Sequence, residues 1–369
     1  MEASPGRWRE AARRFVETAV EPHADEIDRA DRLPPTVLSE LRASGFMGLG
    51  LPPEWGGTGG GPGDVAAVLE ELSASSAAVA TLLAVHLSVA AQPISVWGTA
   101  AQKTDFLRPL AEGRFLGAFA LTEPEVGSDA GALRTRYTRE GDAFVLTGAK
   151  MFITNAASAD VLLTFATRDP ALGRKGISAF LVPKGAAGFT IAQHLVKLGL
   201  RGSETAELAL DHVRLGSDAL LGPEGEGLRV ALSALGGGRV GIAACALGVA
   251  RAAFEEMVRL AKADPEDWKR SVVARSYVDL AAARALVDQA VAEREAGRPA
   301  IEAASTAKLY ASQAAMRIAN KTFELAGPPA SRSGSRANRY LRDARVFPIV
   351  EGTTEIQELI LGRTLIGRE

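Results

Sequence analysis

Cysteine is almost missing from this sequence: Cys245 stands alone among 369 residues. One thiol cannot staple the chain to itself, and its Ala/Gly-rich apolar surroundings predict a buried small hydrophobe, not a nucleophile. Histidine is scarce as well. His23, His86, His194 and His212 are scattered, none in an H-x-x-x-H pair or beside the cysteine, which argues against a transition-metal centre. An excess of charge is missing too. The net charge of −2 leaves no basic face for nucleic acid or an anionic membrane.

Absent motifs narrow the field further. There is no G-x-S-x-G elbow of the common hydrolases and no G-x-x-x-x-G-K-[ST] phosphate loop, so "LPPEWGGTGGGPGD" (51–64) reads as a tight surface loop. No secretory signal opens the chain, whose "MEASPGRWREAARRFVETA" is charged and amphipathic. The most apolar run, 77–97, carries His86 and Gln92 and is expected to break at Pro93, short of the roughly 18–20 apolar residues of a membrane span. A buried core helix and a cytoplasmic protein without membrane insertion are the expectation.

What is present changes texture twice along the chain. Residues 6–30 and 34–44 are amphipathic at helical spacing, and 64–91 are rich in Ala, Leu and Val. From about 115 the sequence breaks into short β-type runs: "FLGAFALTEP", "AFVLTGAKMFITNA", "ADVLLTFAT", "GISAFLVPKG", "FTIAQHLVKLGL" and "TAELALDHVRL". Helical patterns return at 225–262, 266–294, 300–326 and 353–366. The order α, then β, then α predicts segregated domains and argues against a doubly wound sheet. We place them at 1–114 (helical), 115–217 (a small β-barrel or sandwich) and 218–369 (helical).

One carboxylate is oddly placed. In "VEGTTEIQ" (350–357), Glu351 follows an apolar run and precedes a helix start, with Thr354-Glu355-Ile356-Gln357 fitting the capping-box pattern. A charge there complements the helix dipole, worth about 0.3–1 kcal/mol. The alternative, which the local stretch favours less, is a general base whose affinity for a proton is set by that dipole and by apolar neighbours. Scattered histidines and absent hydrolase motifs leave a carboxylate plus a bound cofactor as the remaining route to chemistry.

The motifs "ALTEPEVGSDAGALRT" (120–135), "LTGAKMFITNA" (146–156), "KLGLRGSETAEL" (197–208), "GRVGIAACALGVA" (238–250) and "LRDARVFPIVEGTTEIQELILGR" (341–363) strongly resemble the acyl-CoA dehydrogenases. "LPPEWGGTGG" and "GTAAQKTDFLRPLAEG" match the N-terminal half of that family, so the likeness spans nearly the whole chain in order. The resemblance implies a multidomain α+β fold: an N-terminal helical domain, a middle β domain and a C-terminal four-helix bundle. It implies an FAD enzyme that removes the α-proton of an acyl-CoA thioester and passes the β-hydride to flavin N5. An electron-transfer flavoprotein is then the expected electron acceptor, and a homotetramer, or alternatively a homodimer, the expected assembly.

Carried over position by position, Glu351 takes the place of the catalytic base. Its backbone N–H, with a ribityl hydroxyl, would polarise the thioester carbonyl. Some members carry the base elsewhere, at the position we match to Thr205, which leaves Glu351 as the only base here. Phe119, Leu121 and Thr122 resemble the edge that meets the isoalloxazine, and Gly127 and Ser128 the approach to the pyrophosphate. Phe152, Ile153 and Thr154 of "FITN" match the flavin-packing strand, and Thr353 and Glu355 the adenosine side. Ser128, Arg239 and Gly352 match contacts to the acyl-CoA. Each also has a plain structural reading: a strand cap, a core aromatic, an ion pair. "LRDAR" (341–345) is expected to be an ion-pair network holding the bundle. The helix dipole is expected to keep Glu351 ionised.

The chain departs from the family at three places. "KADPEDWKRSVVARSY" (262–277) lacks the R-x-x-F-G segment that reaches a neighbour's cofactor. "ELAGPPASRSG" (324–334) replaces a glycine pair, and Pro328 removes a backbone donor. Phe152 stands for the usual tryptophan. The first two weaken the expected grip on the adenosine half of FAD unless Lys269, Arg270 or Arg332 substitute. They keep open a flavin-poor, acyl-CoA-binding or partner-subunit paralogue, and an oxygen-using oxidase of the same fold stays open as well.

Overall fold

A computed structural model describes residues 6–367; the outermost positions of the expected first and third domains, 1–5 and 368–369, lie outside the described residues. The N-terminal region is helical. Arg7–Phe15 continues through a π turn and a 3-10 turn into Ala24–Ala30, followed by Pro35–Ala43, Pro62–Ser75 and a run from Ala77 to Trp97. Two details differ from the expectation. The pattern over 64–91 is two helices, because the backbone turns extended at Ser76 (φ −142°, ψ 103°) in a serine-rich stretch whose hydroxyls bond outside the helix. The second helix does not break at Pro93. A π turn, His86–Ala91, precedes the proline, and its wider spacing accommodates the ring so that the helix reaches Trp97.

Length and composition alone would let Ala77–Trp97 and the long Gly227–Ala263 helix cross a membrane, but both are largely buried by the rest of the fold. His86 shows how the first is held. Its fully buried ring bonds the Met47 carbonyl through Nε2 and accepts from the Gly117 N–H at Nδ1. Burial pushes its pKa down to about 4, so it is a neutral connector between the first and second domains.

Eight strands make one hydrogen-bonded sheet: β1 Gly117–Ala120, β2 Arg136–Glu140, β3 Ala143–Thr154, β4 Val161–Thr167, β5 Ile177–Pro183, β6 Phe189–His194, β7 Thr205–Gly216 and β8 Leu220–Leu221. The order is β6-β7-β3-β2-β4-β5-β8, with β1 parallel to β4. β2 and β4 share only the pair Arg136↔Thr167, so the sheet folds over at that corner. Phe144, Leu146, Leu208 and Leu210 from one half then close on Leu162, Phe180 and Val182 from the other, a sandwich-like core. Alternate residues of β4, such as Leu163 and Phe165, face the helical core. β2 escaped the sequence reading because only Tyr137 of its five residues is buried, and β8 because it is two residues long.

The C-terminal region packs Gly227–Ala263, Asp267–Glu295, Ile301–Ala326 and Thr354–Ile366, as the spacing predicts, with an additional helix Arg336–Ala344. Gly227–Ala263 crosses Pro62–Ser75 at close range: a Cβ on Gly248 would lie 2.3 Å from the Glu70 carbonyl. Buried Glu70 accepts from Arg9, Arg251 and Arg284, locking three helices to its own. Burial alone would raise its pKa, yet the three guanidiniums hold it below the usual carboxylate range.

The expected ion pairing of "LRDAR" is present but reaches beyond the bundle. Arg342 pairs with Asp28 at 2.6 Å, Arg339 with Asp25 at 2.7 Å, and Asp343 accepts from the Leu200 N–H at 2.7 Å. Its helix therefore joins the first domain and the "KLGLRGS" loop of the second to the third.

Candidate active site

Glu351 lies in the turn between Arg336–Ala344 and Thr354–Ile366. The helix N-cap is Thr353, whose hydroxyl accepts from Ile356 N, one residue earlier than the capping-box pattern suggests. Thr354 instead bonds the Pro348 carbonyl through its N–H (2.8 Å) and hydroxyl. Gln357, fully buried, donates to the carbonyls of Gly352 (3.0 Å) and Glu351 (3.5 Å). Glu351 and Gly352 both adopt left-handed backbone, with φ 54° and 92°. That conformation is uncommon for a side chain such as glutamate, and here it turns the carboxylate away from the helix mouth.

The carboxylate goes to Gly238, inside the Gly227–Ala263 helix. A Cβ at Gly238 would stand 2.4 Å from Glu351 Oε2 and 2.7 Å from its Cδ. Oε2 and Arg239 Nε are both buried and have no hydrogen-bond partner among the described residues. Burial raises the pKa of Glu351 to about 7, opposed by the cations Arg239 and Lys308. The expectation that the dipole keeps it ionised is therefore corrected. Glu351 lies two residues before the N-cap, where desolvation outweighs the dipole. Its own N–H takes no backbone acceptor among the described residues.

A second cluster surrounds the end of β3. Met151 N donates to the Thr122 carbonyl at 2.9 Å, setting "LTEP" beside "FITN". The β3–β7 pairing slips between Lys150 and Ile153, and Phe152 sits in that bulge with φ 60° and 63% of its surface exposed. A bulge that pushes an aromatic outward at the cost of strained backbone is a device for presenting a surface. Thr122 and Thr154 are part-buried and Ser128 is exposed. The Ile153 side chain is buried in the sandwich core, which leaves its backbone for the expected cofactor contact. Leu121 is buried and Phe119 half-buried, its ring edge-on to Phe165 at 5.1 Å.

Three residues that supply the framework escaped the sequence reading. Asn155 (φ 66°) sends Nδ2 to the carbonyls of Leu82 and Gly117, pinning the end of β3 to the first domain and β1. Lys150, fully buried, bonds the Leu121 carbonyl (3.2 Å) and Glu123 (2.8 Å), while Glu123 also accepts from the N–H groups of Arg134 and Thr135. Burial brings Lys150 down to about 8 against the pull of Glu123. Lys150→Met is expected to destabilise the protein by about 3–5 kcal/mol, since it strands a buried carboxylate. Urea unfolding reads this, and adding Glu123→Gln should recover a large part of the loss. Lys308, the third, holds the Glu351 turn from the bundle side.

Phe119 joins the two clusters. It packs with Val85 and Val89 of the first domain and with Ala234 and Leu235, one turn before Gly238 on the same helix. Other expected residues stand further out. Gly127 and Ser128 are exposed in the loop after β1, with nothing within 4 Å of a Cβ at Gly127. Glu355 is exposed on the first turn of its helix, and the Thr353 hydroxyl serves as the cap. Thr205 is not beside Glu351 in the hydrogen-bond pattern: it pairs with Thr154 and its hydroxyl bonds the Ser203 carbonyl. Gly238 is the position whose side chain would meet the Glu351 carboxylate. Of the residues expected to substitute in the grip on the adenosine half, Lys269 is paired with Asp264 and Glu266 and Arg270 with Asp267, so their charges are already matched locally.

Comparison with known proteins places this geometry in context. Three family models match in succession: the N-terminal domain of acyl-CoA dehydrogenase over residues 6–114, its middle domain over 118–213 and its C-terminal domain over 225–366. An acyl-CoA dehydrogenase of Bacillus subtilis is 40% identical over 368 residues, covering 97% of each chain. The solved butyryl-CoA dehydrogenase of Megasphaera elsdenii superimposes with a TM-score of 0.96 at 34% identity, over 99% of both chains. A chain of a structure described as an electron transferring flavoprotein of Acidaminococcus fermentans superimposes equally well, at 34% identity over the whole of both chains.

Proposed function

The chain belongs to the acyl-CoA dehydrogenase family of FAD-dependent enzymes, and from that membership we propose that Glu351 is the base that removes the α-proton of the thioester. One observation carries this reading: a buried carboxylate with an unpartnered oxygen, lodged against a glycine that leaves it room. A general base near neutrality combines a usable ionised fraction with a strong pull on the proton, and burial sets Glu351 there. Its free N–H can donate to the thioester carbonyl, favouring the charge that develops as the α-proton leaves. Arg239, buried and unpartnered at Nε, suits the approach of an anionic acyl-CoA.

The residues present fit a flavin on the side of β1 and β3. The exposed Phe152 offers a ring to pack on, Thr122 and Thr154 supply hydroxyls beside it, and the loop at Gly127 and Ser128 leaves backbone open to a phosphate. When bound, FAD supplies the acceptor for the β-hydride, at N5 in this reading. The chain's own part is to orient the thioester between Gly238 and Phe119, exclude water and take the proton on Glu351. The structural relatives favour a short-chain acyl group and an electron-transfer flavoprotein as acceptor. The domain division near 114 and 217 is supported by family models that break at 114/118 and 213/225. Exposed Leu359, Leu365 and Ile366 on the last helix favour a second copy against it, as a homodimer or homotetramer requires.

Anaerobic mixing of the FAD-loaded protein with a panel of acyl-CoAs tests the reading. Butyryl-CoA is expected to bleach the flavin, with kcat/KM rising with pH through about 7 as Glu351 ionises. No bleaching by any thioester would overturn it, as would peroxide formed at the full rate without a flavoprotein acceptor.

A further inference from the structure

Lys308 lies on the Ile301–Ala326 helix with no exposed surface. Its Nζ donates to two carbonyl oxygens of the Glu351 turn, Pro348 at 3.2 Å and Gly352 at 2.7 Å, one on either side of the glutamate. Carbonyls, not a carboxylate, accept from this ammonium, an expensive way to fill a core that methionine would fill without a charge. The turn it grips is the one with two consecutive left-handed residues, which needs outside contacts to persist. Gln357 grips the same Gly352 carbonyl from the other side at 3.0 Å, but without charge.

We propose that Lys308 is a positioning residue for proton abstraction: its ammonium locks the Pro348–Gly352 turn so that Glu351 points at Gly238. The inference rests on Glu351 being the base. The charges around the pair come from three elements: Arg239 on the Gly227–Ala263 helix, Glu351 on the turn and Glu355 on the last helix. Burial, with Arg239 beside it, brings Lys308 down to about 8 against the support that Glu351 and Glu355 give its charge. Lys308 in turn opposes the burial that raises Glu351. Removing the ammonium takes away that opposition, so the pKa of Glu351 moves up.

The test compares FAD-loaded wild type with Lys308→Met, Lys308→Arg, Gln357→Leu and Glu351→Gln. Three readouts serve: amide hydrogen exchange over 348–353, the infrared carboxyl band of Glu351 against pH, and flavin reduction by butyryl-CoA against pH. Lys308→Met is expected to speed exchange at least about 10-fold and to lower reduction at pH 7 about 100-fold, as a displaced base does. It should also move both the Glu351 titration and the acid limb of the rate to higher pH. Lys308→Arg should restore the titration, and Gln357→Leu should speed exchange without moving it. Wild-type exchange and titration in Lys308→Met overturn the proposal. So does a slower Lys308→Met enzyme with a lower melting temperature and an unmoved acid limb, which marks a merely structural lysine. If Glu351→Gln reduces flavin as fast as wild type, the reading of Glu351 fails instead, and exchange alone then judges the hold of Lys308 on the turn.

Discussion

Glu351→Gln is expected to slow flavin reduction by butyryl-CoA about 10³–10⁴-fold, near the upper end of what a general base contributes. Glutamine keeps the shape and the backbone N–H, so thioester affinity should change little while the proton loses its acceptor. The same substitution has a consequence for stability. In the folded protein Glu351 holds its proton up to about pH 7, against an ordinary value of 4.5. Between those two values the unfolded chain gives up the proton more readily, so this group destabilises the fold as pH rises and does so fully above 7. At about 1.4 kcal/mol per unit, the penalty at pH 8 is roughly 3 kcal/mol, which glutamine removes. Thermal unfolding should therefore show Glu351→Gln more stable than wild type at pH 8 and closer to it at pH 4. A melting difference independent of pH would contradict a raised pKa, and undiminished flavin reduction would dispose of the catalytic role.

Gly238→Ala is the second substitution with a large expected effect. One methyl group at this helix position falls 2.4 Å from Glu351 Oε2, far inside van der Waals contact, and the carboxylate must swing away. Alanine favours a helix over glycine by about 1 kcal/mol, so the helix itself should not suffer. Activity should. A base displaced by about 1 Å is expected to lose about 10²-fold in rate. Stopped-flow reduction would show this, alongside an unchanged circular dichroism spectrum and FAD content. Full activity in Gly238→Ala would mean that the turn yields easily, which is hard to reconcile with the bonds from Gln357, Thr354 and Lys308 that hold it.

Much of this was legible in the sequence, and the reason is local. Apolar spacing and Gly/Pro punctuation are properties of short stretches, so the α-then-β-then-α order and the main helices could be read directly. Glu351 stood out because a carboxylate after an apolar run is locally odd. The short charged helix Arg336–Ala344, the strand Arg136–Glu140 and the unbroken helix through Pro93 were not legible, since neighbours decide them.

The sequence alone determined the order of the domains and the identity of the carboxylate. Tertiary structure decided that carboxylate's surroundings. Gly238 is 113 residues from Glu351, and Lys308 is 43 residues away, yet together they set its room, its aim and its affinity for a proton. No periodicity marks such partners, because a buried lysine and a helical glycine look like any others until the bundle closes. Desolvation, which outweighs the helix dipole at Glu351, likewise belongs to the assembled core and to no single stretch of chain.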